Sequence, residues 1–161
     1  MLTNVITALI SAFAAAVLTT WFSLWRFRKE RWWERKFLSY VAIIEALHDI
    51  GIESDEELEA SGTGITISDR RKNELRDKLH GGLNVINKEI HTGEFLLEDD
   101  TVEALRSCLR EIDDANACVD FISHHEQRSK AVHSCITRVC SLARQELQSE
   151  TLLSLFRRLR V

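Results

Sequence analysis

The distribution of apolar and charged residues separates the start of the chain from the rest. Residues 5–25 contain no Asp, Glu, Lys or Arg, and as an α-helix they extend roughly 30 Å, the thickness of the hydrocarbon core of a bilayer. A signal peptide fits less well, because no basic segment precedes the apolar run and Trp25-Arg26 makes a poor cleavage site. A buried core helix fits less well too, because it would keep a polar face. The pattern predicts a transmembrane anchor at residues 1–25.

A basic and aromatic segment, the neck, follows at residues 26–36. It carries six cations and two anions, whereas no Lys or Arg precedes it. The positive-inside rule therefore places the neck and everything after it in the cytoplasm, with the N-terminus outside. Tryptophan side chains suit the boundary between lipid and water. The predicted membrane-interface residues are Trp21, Trp25, Arg26, Arg28, Lys29, Arg31, Trp32, Trp33, Arg35 and Lys36.

Small side chains recur every four residues along the predicted anchor and form one ridge of the helix. Such a ridge lets two helix backbones approach closely, and its hydroxyl groups hydrogen-bond across the contact. The pattern predicts self-association of the chain in the membrane. An alternative stays open, in which Ser and Thr donate to carbonyl groups of their own helix. The predicted helix-association residues are Thr7, Ser11, Ala15, Thr19 and Ser23.

Beyond the neck, the apolar positions recur with the 3.6-residue period of amphipathic helices. The chain contains no proline, and no glycine precedes Gly51. We therefore expect one helix from about Leu2 to about Ile50. A run of acidic residues and two glycines then predicts a solvated loop at residues 51–68.

Three further helices are predicted after this loop. The second helix is expected to begin near Asp69 and to end at Gly93. Gly81 and Gly82 lie in its middle, which fits either a close neighbouring helix or a kink. The last two apolar stripes are about 100° out of phase along a continuous helix, so a break is expected near residues 116–125. The third and fourth helices therefore form a hairpin.

These elements predict an all-α fold in which a transmembrane helix continues into a cytoplasmic bundle of about four helices. The tail is basic and amphipathic, and it either docks on the bundle or lies on the inner leaflet. The predicted segments are the anchor 1–25, the neck 26–36, the bundle 37–149 with the acidic loop 51–68, and the tail 150–161.

The charge of the predicted bundle limits its partners. Residues 37–149 contain 12 cations and 22 anions, a net charge of −10. Nucleic-acid binding requires a basic surface that neutralises phosphates, so we expect no nucleic-acid partner. The basic neck and tail suit the anionic headgroups of a lipid bilayer. The four cysteines, in a cytoplasmic domain, are expected to be thiols.

Several residues of the fourth helix have side chains that bind metals, but their spacing matches no known ligand pattern. The adjacent His124 and His125 diverge by about 100° on a helix. No phosphate-binding loop, dinucleotide fingerprint or nucleophile motif is present in the sequence. We therefore expect no metal, no cofactor and no catalytic residue, and a protein that is not an enzyme. The residues considered were His124, His125, His133, Cys135 and Cys140.

Several short stretches resemble a family of small, uncharacterised bacterial membrane proteins with one transmembrane helix and a helical cytoplasmic domain. The stretches are Trp32-Trp33-Glu34-Arg35-Lys36, Ile43-Ile44-Glu45-Ala46-Leu47-His48, Gly93-Glu94-Phe95-Leu96-Leu97 and Ala143-Arg144-Gln145-Glu146-Leu147. The resemblance covers most of the chain and carries no catalytic residue. It implies a bacterial source and an inner-membrane location.

The expected function is that of a membrane-anchored scaffold or adaptor without enzymatic activity. The chain would form a homo-oligomer in the bilayer and recruit a protein partner on the cytoplasmic side. The alternative is an effector that perturbs the membrane, as in bacterial antiviral defence or toxin-like systems. A stable partner would favour the first, and loss of membrane potential on expression would favour the second.

Overall fold

The computed structural model describes residues 2–93 and 95–158, with side chains at residue 13 and over 15–93 and 95–147. Four helices account for nearly all of this chain, so the predicted all-α class with about four helices is confirmed. The helices are α1, Leu2–Thr63; α2, Asp69–Gly93; α3, Asp99–Asn116; and α4, Phe121–Arg158. The chain forms two compact units, Met1–Phe37 and Leu38–Val161.

The second unit is a helical bundle whose core is lined by one face of each helix. In α1 the core face is centred on Ile43 and Ile50, whereas His48 is exposed. The remaining core residues follow the expected helical spacing. The fully buried core side chains include Leu47, Leu75, Ile86, Leu105, Ile112, Val132 and Val139.

The predicted hairpin is confirmed, because α3 ends at Asn116 and α4 begins at Phe121. The side chain of Asp120 caps α4, since its Oδ2 accepts a hydrogen bond of 2.9 Å from the backbone N–H of Ser123. Both bounds of α2 also agree with the sequence pattern. In the connection between α2 and α3, Phe95 is exposed, whereas Leu97 is buried beside Gly93.

The loop predicted at residues 51–68 is wrong over most of its length. Helix α1 continues to Thr63, and only residues 64–68 are not helical. Three acidic residues of this stretch, Glu53, Asp55 and Glu56, have partners on other helices, and these contacts offset the repulsion between like charges. Glu56 accepts a hydrogen bond of 3.0 Å from Nε of Arg71 on α2. The helix ends near Gly64, which has φ = 67°, a left-handed conformation that glycine adopts readily.

Gly82 marks the closest approach of α1 and α2. A Cβ atom added there would lie 2.6 Å from the carbonyl oxygen of Ala46 and 2.8 Å from Cγ1 of Ile50. Only glycine allows the two backbones to come so close. The neighbouring Gly81 has no atom within 4 Å of an added Cβ. Of the two explanations for these glycines, close packing therefore accounts for Gly82.

The two glycines form a matched pair for mutagenesis. Gly82→Ala is expected to lower the free energy of unfolding by about 1–3 kcal/mol, because the new methyl group overlaps a backbone carbonyl. Gly81→Ala is expected to raise it by about 0.5–1 kcal/mol, because alanine favours the helix and the site is open. Urea unfolding of the full chain in detergent, followed by circular dichroism, measures both. Equal shifts for the two variants would contradict the close approach.

Candidate functional site

A cluster of polar side chains lies between the C-terminal part of α1 and the N-terminal part of α4. It consists of Glu53, Ser54, His125 and Arg128, the polar cluster. Arg128 is 4% exposed, and its terminal nitrogen forms an ion pair with Oε2 of Glu53. Its Nε donates a hydrogen bond of 2.6 Å to Oγ of Ser54, which is fully buried. The guanidinium therefore connects two consecutive residues of α1.

His125 completes the cluster as a neutral side chain. Its Nδ1 accepts a hydrogen bond of 3.2 Å from the Arg128 guanidinium, so the ring proton resides on Nε2. The same Nδ1 lies 3.7 Å from Oε2 of Glu53. The ring also packs against its neighbours, with centroid distances of 4.5 Å to Phe121 and 4.7 Å to His124. His125 is thus held by contacts on several sides.

Burial determines the protonation of the cluster. It lowers the pKa of His125 below its ordinary value, His124 lowers that pKa further, and Glu57 opposes the shift. Burial also lowers the pKa of Arg128, yet the adjacent carboxylate and the high intrinsic pKa of arginine keep it charged at neutral pH. The cluster therefore holds one charge pair beside a neutral imidazole.

A second, more exposed contact continues the same interface. Oγ of Ser129 donates a hydrogen bond of 2.6 Å to Oδ1 of Asp55, and Nε2 of His133 lies 3.8 Å from Oδ2 of the same carboxylate. Nδ1 of His133 donates to the carbonyl oxygen of Ser129 at 2.9 Å. These residues extend the contact of α1 and α4 to the surface of the bundle.

A second buried polar contact lies about 27 Å further along α4, which is 18 residues of helix. There the hydroxyl groups of Tyr40 and Thr101 are 3.1 Å apart, and Thr101 donates to Oε1 of Glu146 at 3.1 Å. All three side chains are buried, and burial raises the pKa of Tyr40. The two polar contacts thus join α1 to α4 at both ends of the bundle, and Thr101 adds α3.

The sequence pattern missed the polar cluster, although it contained a signal for it. Ser54 lies four residues after the core residue Ile50, and Arg128 lies four residues before Val132. Both core stripes therefore continue into polar residues of complementary chemistry. The acidic composition predicts a loop at this point, and a loop has no helical period from which the burial of Ser54 could be predicted.

The side chains considered as metal ligands are dispersed in the bundle. His124 donates from Nδ1 to the carbonyl oxygen of Ala115 at 3.0 Å, and His125 belongs to the polar cluster. Cys135 is in the core, with its thiol 3.9 Å from the carbonyl oxygen of Ala104, and Cys140 is half-buried. Among the described side chains, no three of His, Cys, Asp and Glu come together as metal ligands do.

In the described part of the first unit, most of the predicted membrane-interface residues are exposed. Trp33 is half-buried and stacks on Phe37, with ring centroids 6.2 Å apart. Lys36 requires a correction, because it is buried and its ammonium group lies 5.6 Å from the centre of the Trp32 ring. The exposed residues are Trp21, Trp25, Arg26, Arg28, Lys29, Arg31, Trp32 and Arg35.

The predicted ridge of small residues is described only in part, because the side chains of Thr7 and Ser11 lie outside the described residues. Ala15, Thr19 and Ser23 are exposed. The hydroxyl of Thr19 donates to the carbonyl oxygen of Ala15 at 2.8 Å, which is the alternative that the sequence left open. Its proton is therefore engaged within its own helix.

Across the described residues, no helix offers a stretch with both the length and the apolarity of a membrane span. The side chains at residues 5–12 and 14 of the predicted anchor lie outside the residues described.

The buried ion pair is expected to contribute strongly to stability. Arg128→Met should lower the free energy of unfolding by about 3–5 kcal/mol, because it leaves the Glu53 carboxylate without its countercharge. Adding Glu53→Leu should restore most of that loss, since no uncompensated charge is left. Arg71→Met is the control, because the Arg71–Glu56 pair is more exposed and its loss should cost about 1 kcal/mol or less. Equal losses for Arg71→Met and Arg128→Met in urea unfolding would refute this role.

Stability should also fall with acid. Because the folded chain holds His125 neutral below its ordinary pKa of 6.5, the unfolded chain binds more protons in that range. The free energy of unfolding should therefore decrease as the pH falls from 6.5 through the lowered pKa, by at most about 1.4 kcal/mol per pH unit. His125→Gln, which keeps an acceptor for Arg128, should flatten this slope. An unchanged slope would show that His125 does not titrate in this way.

No family model, curated protein or solved structure matches the chain. The resemblance to small single-pass bacterial membrane proteins stays a prediction from the sequence.

Proposed function

We propose that the chain is a membrane-anchored scaffold or adaptor that self-associates and has no enzymatic activity. The observation that carries the proposal is the division of the described part of the predicted anchor, residues 13 and 15–25, into two faces. At 100° per residue, bulky apolar side chains occupy about half of the helix circumference. These exposed side chains are Phe13, Val17, Leu18, Trp21, Phe22, Leu24 and Trp25.

The other half of the circumference carries small side chains. They are Ala15, Ala16, Thr19, Thr20 and Ser23, all exposed. A large exposed apolar surface requires a cover, and lipid tails supply one for the bulky face. The small face suits close contact with a second helix, because small residues let two backbones approach. One helix thus combines a face for lipid with a face for its own copy.

The neck supports an orientation in the membrane. Its exposed cations follow the apolar segment, and by the positive-inside rule this order supports a cytoplasmic location for the helical bundle. Two of these cations, Arg26 and Arg31, also pair with Glu30 and Glu34 on the same helix. The exposed cations Arg28, Lys29 and Arg35 suit anionic headgroups in the proposed bacterial inner membrane.

The polar contacts of the bundle support a structural role. The guanidinium of Arg128 and the ring of His125 are buried, and the guanidinium bonds both to α1 and to Nδ1 of His125. Catalytic groups require access to a substrate. The cluster instead joins α1 to α4 through the bonds of Arg128 to Glu53 and Ser54, and such a structural role suits a scaffold.

Two substitutions at one position separate anchoring from assembly. Ala15→Arg should reduce membrane insertion, because a cation at the centre of the span costs about 2.5–3.5 kcal/mol. Ala15→Ile should keep insertion but reduce oligomers, because the larger side chain holds two small faces apart. The measurement is carbonate extraction of membranes from bacteria that express the full chain, followed by chemical crosslinking.

Leu18→Ile is the control, since it changes the shape of a side chain on the bulky face and should leave both readouts unchanged. Recovery of wild-type protein in the soluble fraction would overturn the anchor. Unchanged crosslinking of Ala15→Ile would overturn assembly through the small face. Loss of membrane potential on expression would favour a membrane-perturbing effector over the scaffold.

A further inference from the structure

Three apolar side chains at the turn between α3 and α4, within four residues of sequence, are exposed. Val119 is 102% exposed, Phe121 53% and Ile122 52%. Helix α3 ends at Asn116, before all three residues. These three residues form the apolar tip. Their exposure removes the stabilisation that burial of such side chains gives.

The tip is held in place by polar contacts of its neighbours and by the ring of Phe121. The Asp120 carboxylate caps α4, and Nδ1 of His124 donates to the carbonyl oxygen of Ala115 at the end of α3. The thiol of Cys118 lies 3.2 Å from Oε1 of Gln127. The Phe121 ring contacts the ring of His125, which belongs to the polar cluster. The backbone thus presents the apolar side chains outward in a defined arrangement.

The surroundings of the tip are acidic. The segment 111–126 contains five carboxylates and no lysine or arginine. All five are exposed: Glu111, Asp113, Asp114, Asp120 and Glu126. The nearest arginines in sequence are engaged elsewhere, since Arg110 pairs with Glu103 and Arg128 pairs with Glu53. The apolar tip therefore belongs to a segment whose exposed charges are all negative.

We propose that the apolar tip is the docking surface for a basic amphipathic segment of a partner protein. Such a segment covers the apolar residues with its own apolar side and places lysine or arginine opposite the carboxylates. This inference deepens the adaptor role proposed above and rests on it, because it states the chemistry of the partner that the adaptor recruits.

Charge argues against two other occupants. Anionic lipid headgroups would be repelled by the five carboxylates. Two tips of different copies in contact would bring ten carboxylates together, and like charges across an interface disfavour association. A basic segment meets no such repulsion, so charge complementarity selects it.

The experiment measures binding of a defined basic amphipathic peptide to the full chain in nanodiscs of zwitterionic lipid. The probe is a fluorescent peptide of leucine and lysine in helical amphipathic spacing, and the readout is anisotropy. Val119→Ser and Ile122→Ser should each weaken binding about tenfold, as loss of a central apolar contact does. Val119 has the more exposed side chain, so its substitution should leave the fold intact. Binding should also weaken as salt is added.

Phe95→Ser is the matched control, because Phe95 is 84% exposed in the connection before α3 and should not contribute. Equal affinity of Val119→Ser, Phe95→Ser and wild-type protein would overturn the proposal, and so would binding that is insensitive to salt. Loss of crosslinked oligomers in Val119→Ser would identify a second copy as the occupant, which also overturns it. Failure of membrane assembly is distinct, since Ala15→Ile reports on it without altering the tip.

Discussion

The bundle depends on a charge pair that its own helices bury, Glu53 of α1 and Arg128 of α4. Removing a charge from water costs several kcal/mol, and only a nearby countercharge with further hydrogen bonds offsets that cost. Apolar faces tolerate a small shift of one helix along another. A guanidinium bonded to Glu53, Ser54 and His125 does not, because any shift leaves a charge or a donor unpaired. The pair therefore fixes the register of α1 on α4.

The same pair helps to explain why the acidic stretch at residues 53–59 is helical. A run of carboxylates repels itself, and in an isolated peptide it favours an extended, solvated chain. Here Glu53 contacts Arg128, Asp55 contacts Ser129, and Glu56 contacts a second helix. The cluster also contacts Phe121, so the side chains that hold α1 on α4 support one residue of the exposed apolar tip. His125 thus contacts both Arg128, which holds α4 on α1, and Phe121 of the apolar tip.

The helices of the two units differ in how their side chains are distributed. In the bundle, each helix turns an apolar stripe inward and a charged face outward. Over residues 13 and 15–25 of the first unit the contrast is one of size instead, with bulky apolar side chains on one face and small ones on the other. Thr19 and Thr20 donate to carbonyl groups of their own helix, so any contact on the small face relies on close packing more than on their protons.

Periodicity in the sequence alone determined the helical class, the bounds of α2, the break before Phe121 and most of the core, because these depend on spacing within one segment. The long α1 followed from the absence of proline and early glycine. The sequence pattern did not predict the last turns of α1. There the acidic residues from Glu53 onward are stabilised as helix by Arg71 and Arg128, which come from distant positions in the chain. The role of Gly82 likewise required the carbonyl oxygen of Ala46, 36 residues earlier, to lie beside it. Only the tertiary structure brings such residues together, and their electrostatic and steric energies then outweigh the local preference.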